Sequence, residues 1–349
     1  MRSVVMNPTC SSKPRLKYID IAKGILICCL LYGHMLIIAN WEGMDDTVMR
    51  IMGKGVPLYN SFFMQTFFLI TGFCSSFQKD FKSFLWGNIK SLIIPSIILV
   101  TFSKYVIAAV FLNQIDASPL IDLHRWLIDS GPWFILSLFW AKILFYFINK
   151  LSLFRQVILV IFLYLTGIAL NHFDFFPNYW YHRHVLLMLP YLFIGNLCKS
   201  HQEHVSRYLL PLGIFGVISI VLQSAVLQHI SGYKIPTQDV YISNCHFFYI
   251  HIINVITGSA FVIWISKKID SNRFFETMGK GTILVYLWNE LVNRLILKIL
   301  PARHIYHEES FFSCLLFHCL VFVLLLLSFY LLIKAIYGTK YLSWMVGKW

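Results

Sequence analysis

The feature that most limits what this chain can fold into is a series of long apolar stretches that recur from Ile19 to Ile336 with only short polar interruptions. About 20 such residues in an α-helix cross the hydrocarbon core of a bilayer. The stretches are continuously apolar, whereas barrel strands alternate over about ten residues, so helices are expected. They fall at 19–40, 57–77, 91–112, 132–149, 156–170, 184–198, 208–228, 247–266, 281–300 and 312–336. Of the 349 residues 58% are apolar and 13% charged, with a mean hydropathy of +0.68, which leaves no room for a large water-soluble domain. The expected fold is all-α: a polytopic integral membrane bundle of about ten transmembrane helices, one membrane domain over residues 1–349 with a basic tail at 1–18.

The net charge of +13 raises nucleic acid as a partner, but the distribution of the charge argues against it. With the N-terminus inside, the inner loops and tails hold 17 of the 29 Lys and Arg, the outer loops 7, and the spans 5. That asymmetry puts both termini in the cytoplasm. The eight cysteines form no CxxC pair and no regular spacing, so no disulfide framework is read. The first apolar stretch follows a basic tail as a signal peptide would, yet it is too long for one and has no small-residue cleavage site after it. It is expected to stay.

Polar residues inside the spans are the informative ones, because a charge at mid-depth costs at least about 2.5–3.5 kcal/mol and faces a bundle interior or a wet cavity. Lys23, Lys104, Lys142, Glu290, Arg294 and Lys334 fall inside or at the edges of the spans, with His34, Gln65, Asn254, Asn289 and His318. At a rise of ~1.5 Å per residue, His34 sits roughly 20 Å from the inner face, beyond the midplane, and Gln65 about 12 Å from the outer face. Lys142 and Arg294 come to similar depths, so one polar layer drawn from the first, second, fourth and ninth helices is expected. Each residue also has a plainer reading. An intramembrane His commonly makes an interhelical hydrogen bond, Glu290 and Arg294 at i, i+4 can neutralise each other, and Lys23 and Lys334 can snorkel. The aromatic stretch "NHFDFFPNYWYHRH" at 171–184 suits sugar stacking or an interfacial belt. His182 with His184, His201 with His204, and His304 with His307 and Glu308 lack the further ligands of a closed metal site, so no metal is expected.

The segment "RLKYIDIAKGILICCLLYGHM" resembles the start of the membrane acyltransferase 3 family, in particular its fucose 4-O-acetylase-like branch, with Arg15, Asp20, Lys23, Gly24 and His34 at the recurring positions. Further segments follow in the family's order: "FFMQTFFLITGF" at 62–73, "IKSLIIPS" at 89–96, "PWFILSLFW" at 132–140, "YLFIGNLCK" at 191–199 and "GKGTILVYLWNEL" at 279–291. The chain departs from the pattern at Phe63 and Gln65, where His and Pro are common, and at Asn289, where a His commonly follows the Tyr286 position. Asn289 cannot titrate, so a two-histidine mechanism is in doubt.

The resemblance implies transfer of an acyl group, usually acetyl, from acyl-CoA to a sugar hydroxyl of a surface or secreted glycan, in a cell membrane and most naturally the bacterial inner membrane. The donor is a co-substrate, and no tightly bound cofactor is expected. A neutral imidazole can take the proton of an attacking hydroxyl, so His34 is the candidate general base, with a transient acyl-His as a variant. Arg15, Asp20, Lys23 and Lys90, with Lys17 and Lys280, are candidates for the donor entrance. Asp20 lies fourteen residues from His34, about 21 Å along the helix, too far to orient the imidazole. Gln65, Lys104, Lys142, Asn289, Glu290 and Arg294 form the expected polar core. The competing readings are a transporter or flippase for a lipid-linked sugar or small anion, which predicts inverted repeats or broken helices that the sequence does not display, and a non-catalytic membrane partner.

Overall fold

The computed structural model describes residues 16–41, 43, 46–107, 132–173, 179–225, 248–300, 305, 310–339 and 342–346. Its regular elements are all helical: α1 (Lys17–Trp41), α2 (Asp46–Met52), α3 (Val56–Asn60), α4 (Phe63–Cys74), α5 (Phe81–Asn88), α6 (Ile94–Ile107), α7 (Trp133–Ile148), α8 (Leu153–Phe173), α9 (His182–Ser200), α10 (Gln202–Ala225), α11 (Phe248–Ile269), α12 (Arg273–Lys280), α13 (Thr282–Ile299) and α14 (Phe311–Gly338). Six helical stretches are long and apolar enough to cross a membrane: Lys17–Asn40, Phe81–Val106, Leu153–Phe173, Gln202–Gln223, Tyr249–Ile269 and Phe311–Gly338. Phe63–Cys74 and Trp133–Ile148 are shorter apolar helices. The protein is an all-α, multi-span membrane helix bundle.

Helix occurs at each of the ten apolar stretches, with two differences of detail. The second stretch is broken. Helix α3 stops at Asn60 and α4 starts after Phe62, whose φ of −146° and ψ of −17° lie outside the helical region. The Phe62 ring fills the notch left by Gly258 of α11, where a Cβ would strike it, and Thr66 Oγ1 donates to the Phe62 carbonyl at 2.7 Å. A broken helix was not expected from the sequence. The third stretch begins earlier than residue 91, because α5 runs through a π-helical turn (Ile89–Ile93) into α6. Asp80 caps α5, its Oδ2 accepting from Ser83 N at 2.8 Å. The bonds from Ser83 hold this exposed carboxyl below the usual carboxylate range.

Between membrane helices the apolar effect offers little preference, so close backbone approach decides which pairs lock. Helices α1 and α12 meet through Gly24, facing the Phe275 carbonyl, and Gly279, facing the Asp20 carbonyl; a side chain at either would collide with the opposite backbone. Helices α4 and α9 repeat the arrangement, with Gly72 against the Leu192 carbonyl and Gly195 against that of Leu69. Helix α1 is central and packs on α12, α13, α11, α14 and α4.

Hydrogen bonds identify one end of the bundle. Gln202 Nε2 donates to Tyr18 OH at 3.3 Å, Lys199 Nζ to the Ser75 carbonyl at 2.6 Å, Tyr146 OH to the Lys79 carbonyl at 2.9 Å and Tyr337 OH to the Lys280 carbonyl at 2.7 Å. This end collects Lys17, Lys79, Lys150, Lys199, Lys267 and Lys280. The C-terminal half of α1, which carries His34, points away from it.

Candidate active site

A cavity of about 700 Å³ opens among the C-terminal half of α1, the short helices α2 and α3, the start of α4, the start of α7 and the middle of α13. Such a volume is typical of a small-molecule site. His34 lines it together with Cys29, Trp133, Tyr286, Asn289 and Glu290. The imidazole is half-buried and makes no side-chain hydrogen bond among the described residues. Its ring nitrogens are therefore open to whatever enters.

Two helices set the polar wall. On α13, Tyr286, Asn289 and Glu290 span one turn, which puts Tyr286 and Asn289 on adjacent positions of one face. Tyr286 OH accepts from Phe134 N at 3.4 Å, and Asn289 Nδ2 donates to the Tyr286 carbonyl at 2.6 Å. Among the described residues the buried Asn289 Oδ1 has no hydrogen-bond partner, a cost that a donor on a bound ligand would relieve. Glu290 accepts from Arg294 Nε at 2.9 Å, and its charge acts on His34 across the cavity. On α7, Trp133 supplies an apolar face, and its ring meets His184 at 5.0 Å, which in turn meets Tyr181 at 5.7 Å. The described part of the aromatic stretch thus leads to the cavity wall. Trp180 and Tyr181 hold left-handed backbone, with φ of 53° and 54°, a conformation that costs energy in residues with bulky side chains.

The expected polar layer divides. Asn289 and Glu290 share the cavity with His34, and Arg294 is tied to Glu290. Gln65 is fully buried elsewhere, its Nε2 3.0 Å from His251 Nε2. Lys104 is exposed on the outside of α6. Lys142 is half-buried with its Nζ 5.9 Å from the Phe84 ring centroid, and shares a local field with Lys23 and Lys79 toward the basic end. Counting residues gives a side chain's depth but not the direction in which it leaves its helix, and this is why one expected layer becomes two.

The candidate entrance residues also separate. Asp20 is buried on α1 against α12, Lys23 is half-buried, and Lys90 lies in the π-helical turn 5.4 Å from the Trp86 ring centroid. Arg15 lies outside the described residues, as do His304, His307 and Glu308. Among the described residues no three His, Cys, Asp or Glu side chains gather as metal ligands.

A second polar cluster joins α4, α10 and α11. Besides Gln65 with His251, Thr66 Oγ1 and Ser259 Oγ lie 2.7 Å apart, and Gln223 and Asn254 exchange amide bonds of 2.9 and 3.1 Å. The sequence reading singled out Gln65 and Asn254 but not His251. His251 stands three residues before Asn254 in the same apolar stretch, one helical turn away, and that spacing was the available signal.

Comparison with known families decides the class. The model of the Acyl_transf_3 family, described as an acyltransferase domain, matches residues 16–333. The chain belongs to this family. No curated protein and no solved structure matches it. The match covers every helix that lines the cavity, so the acyltransferase carries its family's domain around His34.

Proposed function

We propose that the protein moves an acyl group, acetyl in the first instance, from acyl-CoA to a sugar hydroxyl of a surface or secreted glycan, with His34 as general base. The observation that carries this reading is the imidazole of His34, without a hydrogen-bond partner among the described residues, on the cavity wall of an acyltransferase-family chain. A hydroxyl bound beside His34 gives its proton to the imidazole as its oxygen attacks the thioester carbonyl carbon. The carbon–sulfur bond then breaks, and the coenzyme A thiolate takes the proton back from the imidazolium, leaving an ester and a free thiol. Trp133 offers a sugar an apolar face, while Asn289 Oδ1 and Glu290 accept from its other hydroxyls. The basic residues at the opposite end, Lys23 and Lys142 among them, suit the phosphates of a donor entering from the cytoplasm. This scheme takes the bundle as ten crossings with both termini cytoplasmic.

Labelled acetyl-CoA supplied to membranes containing the protein should label a saccharide as an ester. His34→Ala should fold and abolish that label, whereas Asn289→His should retain it. Retained labelling by His34→Ala sinks the assignment. Transport of a lipid-linked sugar or small anion is the other reading, favoured by the break between α3 and α4 where Asn60 and Phe63 line the cavity. It predicts substrate movement across the membrane with no ester formed.

A further inference from the structure

A second cavity, of about 450 Å³, lies at the basic end and shares no lining residue with the one at His34. Helix α10 follows α9 after the single residue His201, yet it packs along α11, where Gly213 faces Phe261 and Gly216 faces Thr257, and barely touches α9. The wedge left between α9 and α10 is closed behind by α1, α4 and α11. Its interior is apolar, formed by Ile70, Phe73, Leu209, Leu212, Ile256 and Ile263. At its mouth stand the polar residues Tyr18, Gln202, His204, Ser206 and Lys267, and the buried Ser259, its hydroxyl 2.7 Å from Thr66 Oγ1, is the polar residue farther in.

Lys267 is the group that selects an occupant. Its Nζ donates to Ser206 Oγ at 2.6 Å and lies 5.1 Å from the Tyr18 ring centroid. Among the described residues no carboxylate pairs with it, and Glu203, the acid on α10, is exposed and outside the lining. A half-buried ammonium at the mouth of an apolar wedge, at the end where basic residues gather, is complementary to an anionic headgroup with an alkyl chain below it. Basic pockets between membrane helices on the cytoplasmic side bind such headgroups.

We propose that this wedge is a site for an anionic phospholipid of the leaflet at the basic end, with one acyl chain between α9 and α10 and the phosphate on Lys267. Ser206, which donates to the Gln202 carbonyl at 2.8 Å and accepts from Lys267, holds the ammonium in place, and the second hydrogen of Gln202 Nε2 is given to a phosphate oxygen. The site is independent of the reaction proposed at His34.

The test is native mass spectrometry and thermal unfolding of the full chain in mild detergent, with phosphatidylglycerol or phosphatidylcholine of identical chains added. The wild type should retain one phosphatidylglycerol in preference to phosphatidylcholine and unfold at a higher temperature with it. Lys267→Gln should cut that preference about fivefold, the effect of about 1 kcal/mol per basic residue near a membrane surface. The exposed neighbour Lys268→Gln should leave it unchanged, and Leu212→Trp, which fills the wedge, should reduce retention of both lipids. Equal retention by the wild type and Lys267→Gln overturns the proposal, as does displacement of bound phosphatidylglycerol by palmitoyl-CoA at equal concentration, which would give the wedge to the acyl donor. Lys267→Gln and Lys268→Gln decide the question even if Leu212→Trp does not fold.

Discussion

Among the described residues, the polar cluster around α11 and the one at the end of α1 both lie in apolar surroundings, and their hydrogen bonds differ in kind. Around α11 the side chains pair with one another: Gln65 meets His251, Thr66 meets Ser259, and Gln223 and Asn254 bond reciprocally, with Gln65 Oε1 alone left buried and unmatched among these described groups. Around the end of α1 they do not. His34 has no side-chain partner among the described residues, and Asn289 leaves a buried oxygen unmatched. A histidine occurs in both clusters, so the residue type alone does not mark a reacting group. What separates them is that one imidazole is engaged by a neighbouring helix while the other faces a void large enough for a ligand.

The sharpest way to break this contrast is to exchange the two histidines' fates. His34→Gln should fold normally and lose turnover by about 10²–10⁴-fold, the range for a general base, measured as ester formation per folded molecule. His251→Phe should do the reverse. It strands the Gln65 amide in the interior and should cost about 1–3 kcal/mol of stability by denaturant unfolding, with turnover per folded molecule unchanged. A loss of turnover there would place the closed cluster in the reaction and dissolve the distinction. Glu290→Gln tests how far the open cluster extends: removing a carboxylate that Arg294 already engages and water reaches should lower turnover by roughly fivefold at most. The smallest effect is expected far from both clusters. Asp80→Ala should speed amide exchange at the start of α5 without touching catalysis. Because the folded carboxyl is held below its ordinary range, the cap in the wild type is fully present above that range and should be lost as pH falls through the lowered value.

Much of the scaffold was legible from hydropathy, since apolar stretches of bilayer length have few other stable arrangements. The stretch at 156–170, one of the two shortest, is the 21-residue α8. The break before Phe63 was not legible, because it depends on the Phe62 ring reaching Gly258 nearly two hundred positions away, and averaging over a window cannot register one non-helical residue. His34, Asn289 and Glu290 stand out in the sequence as polar residues inside the apolar spans, and they do share a cavity. Gln65, Lys104 and Lys142 satisfied the same criterion and point elsewhere. Trp133 and Tyr286 lay inside segments recognised by resemblance, but nothing in their apolar surroundings marked them as wall residues.

The two reciprocal glycine contacts do more than allow close packing, because they index the helices like the pins of a jig. At α1 and α12 each glycine stands opposite a carbonyl four positions before its counterpart, so sliding either helix by one residue would drive a Cβ into the other backbone. His34 is ten residues past Gly24, and Glu290 eleven past Gly279 on the helix that follows. The relative height of imidazole and carboxylate is thus fixed at the far end of the bundle, like two rulers clamped at their zero marks. An insertion of one residue between Gly24 and His34 would turn the imidazole by about 100° and raise it by ~1.5 Å, out of register with Asn289 and Glu290 although every residue of the wall is still present.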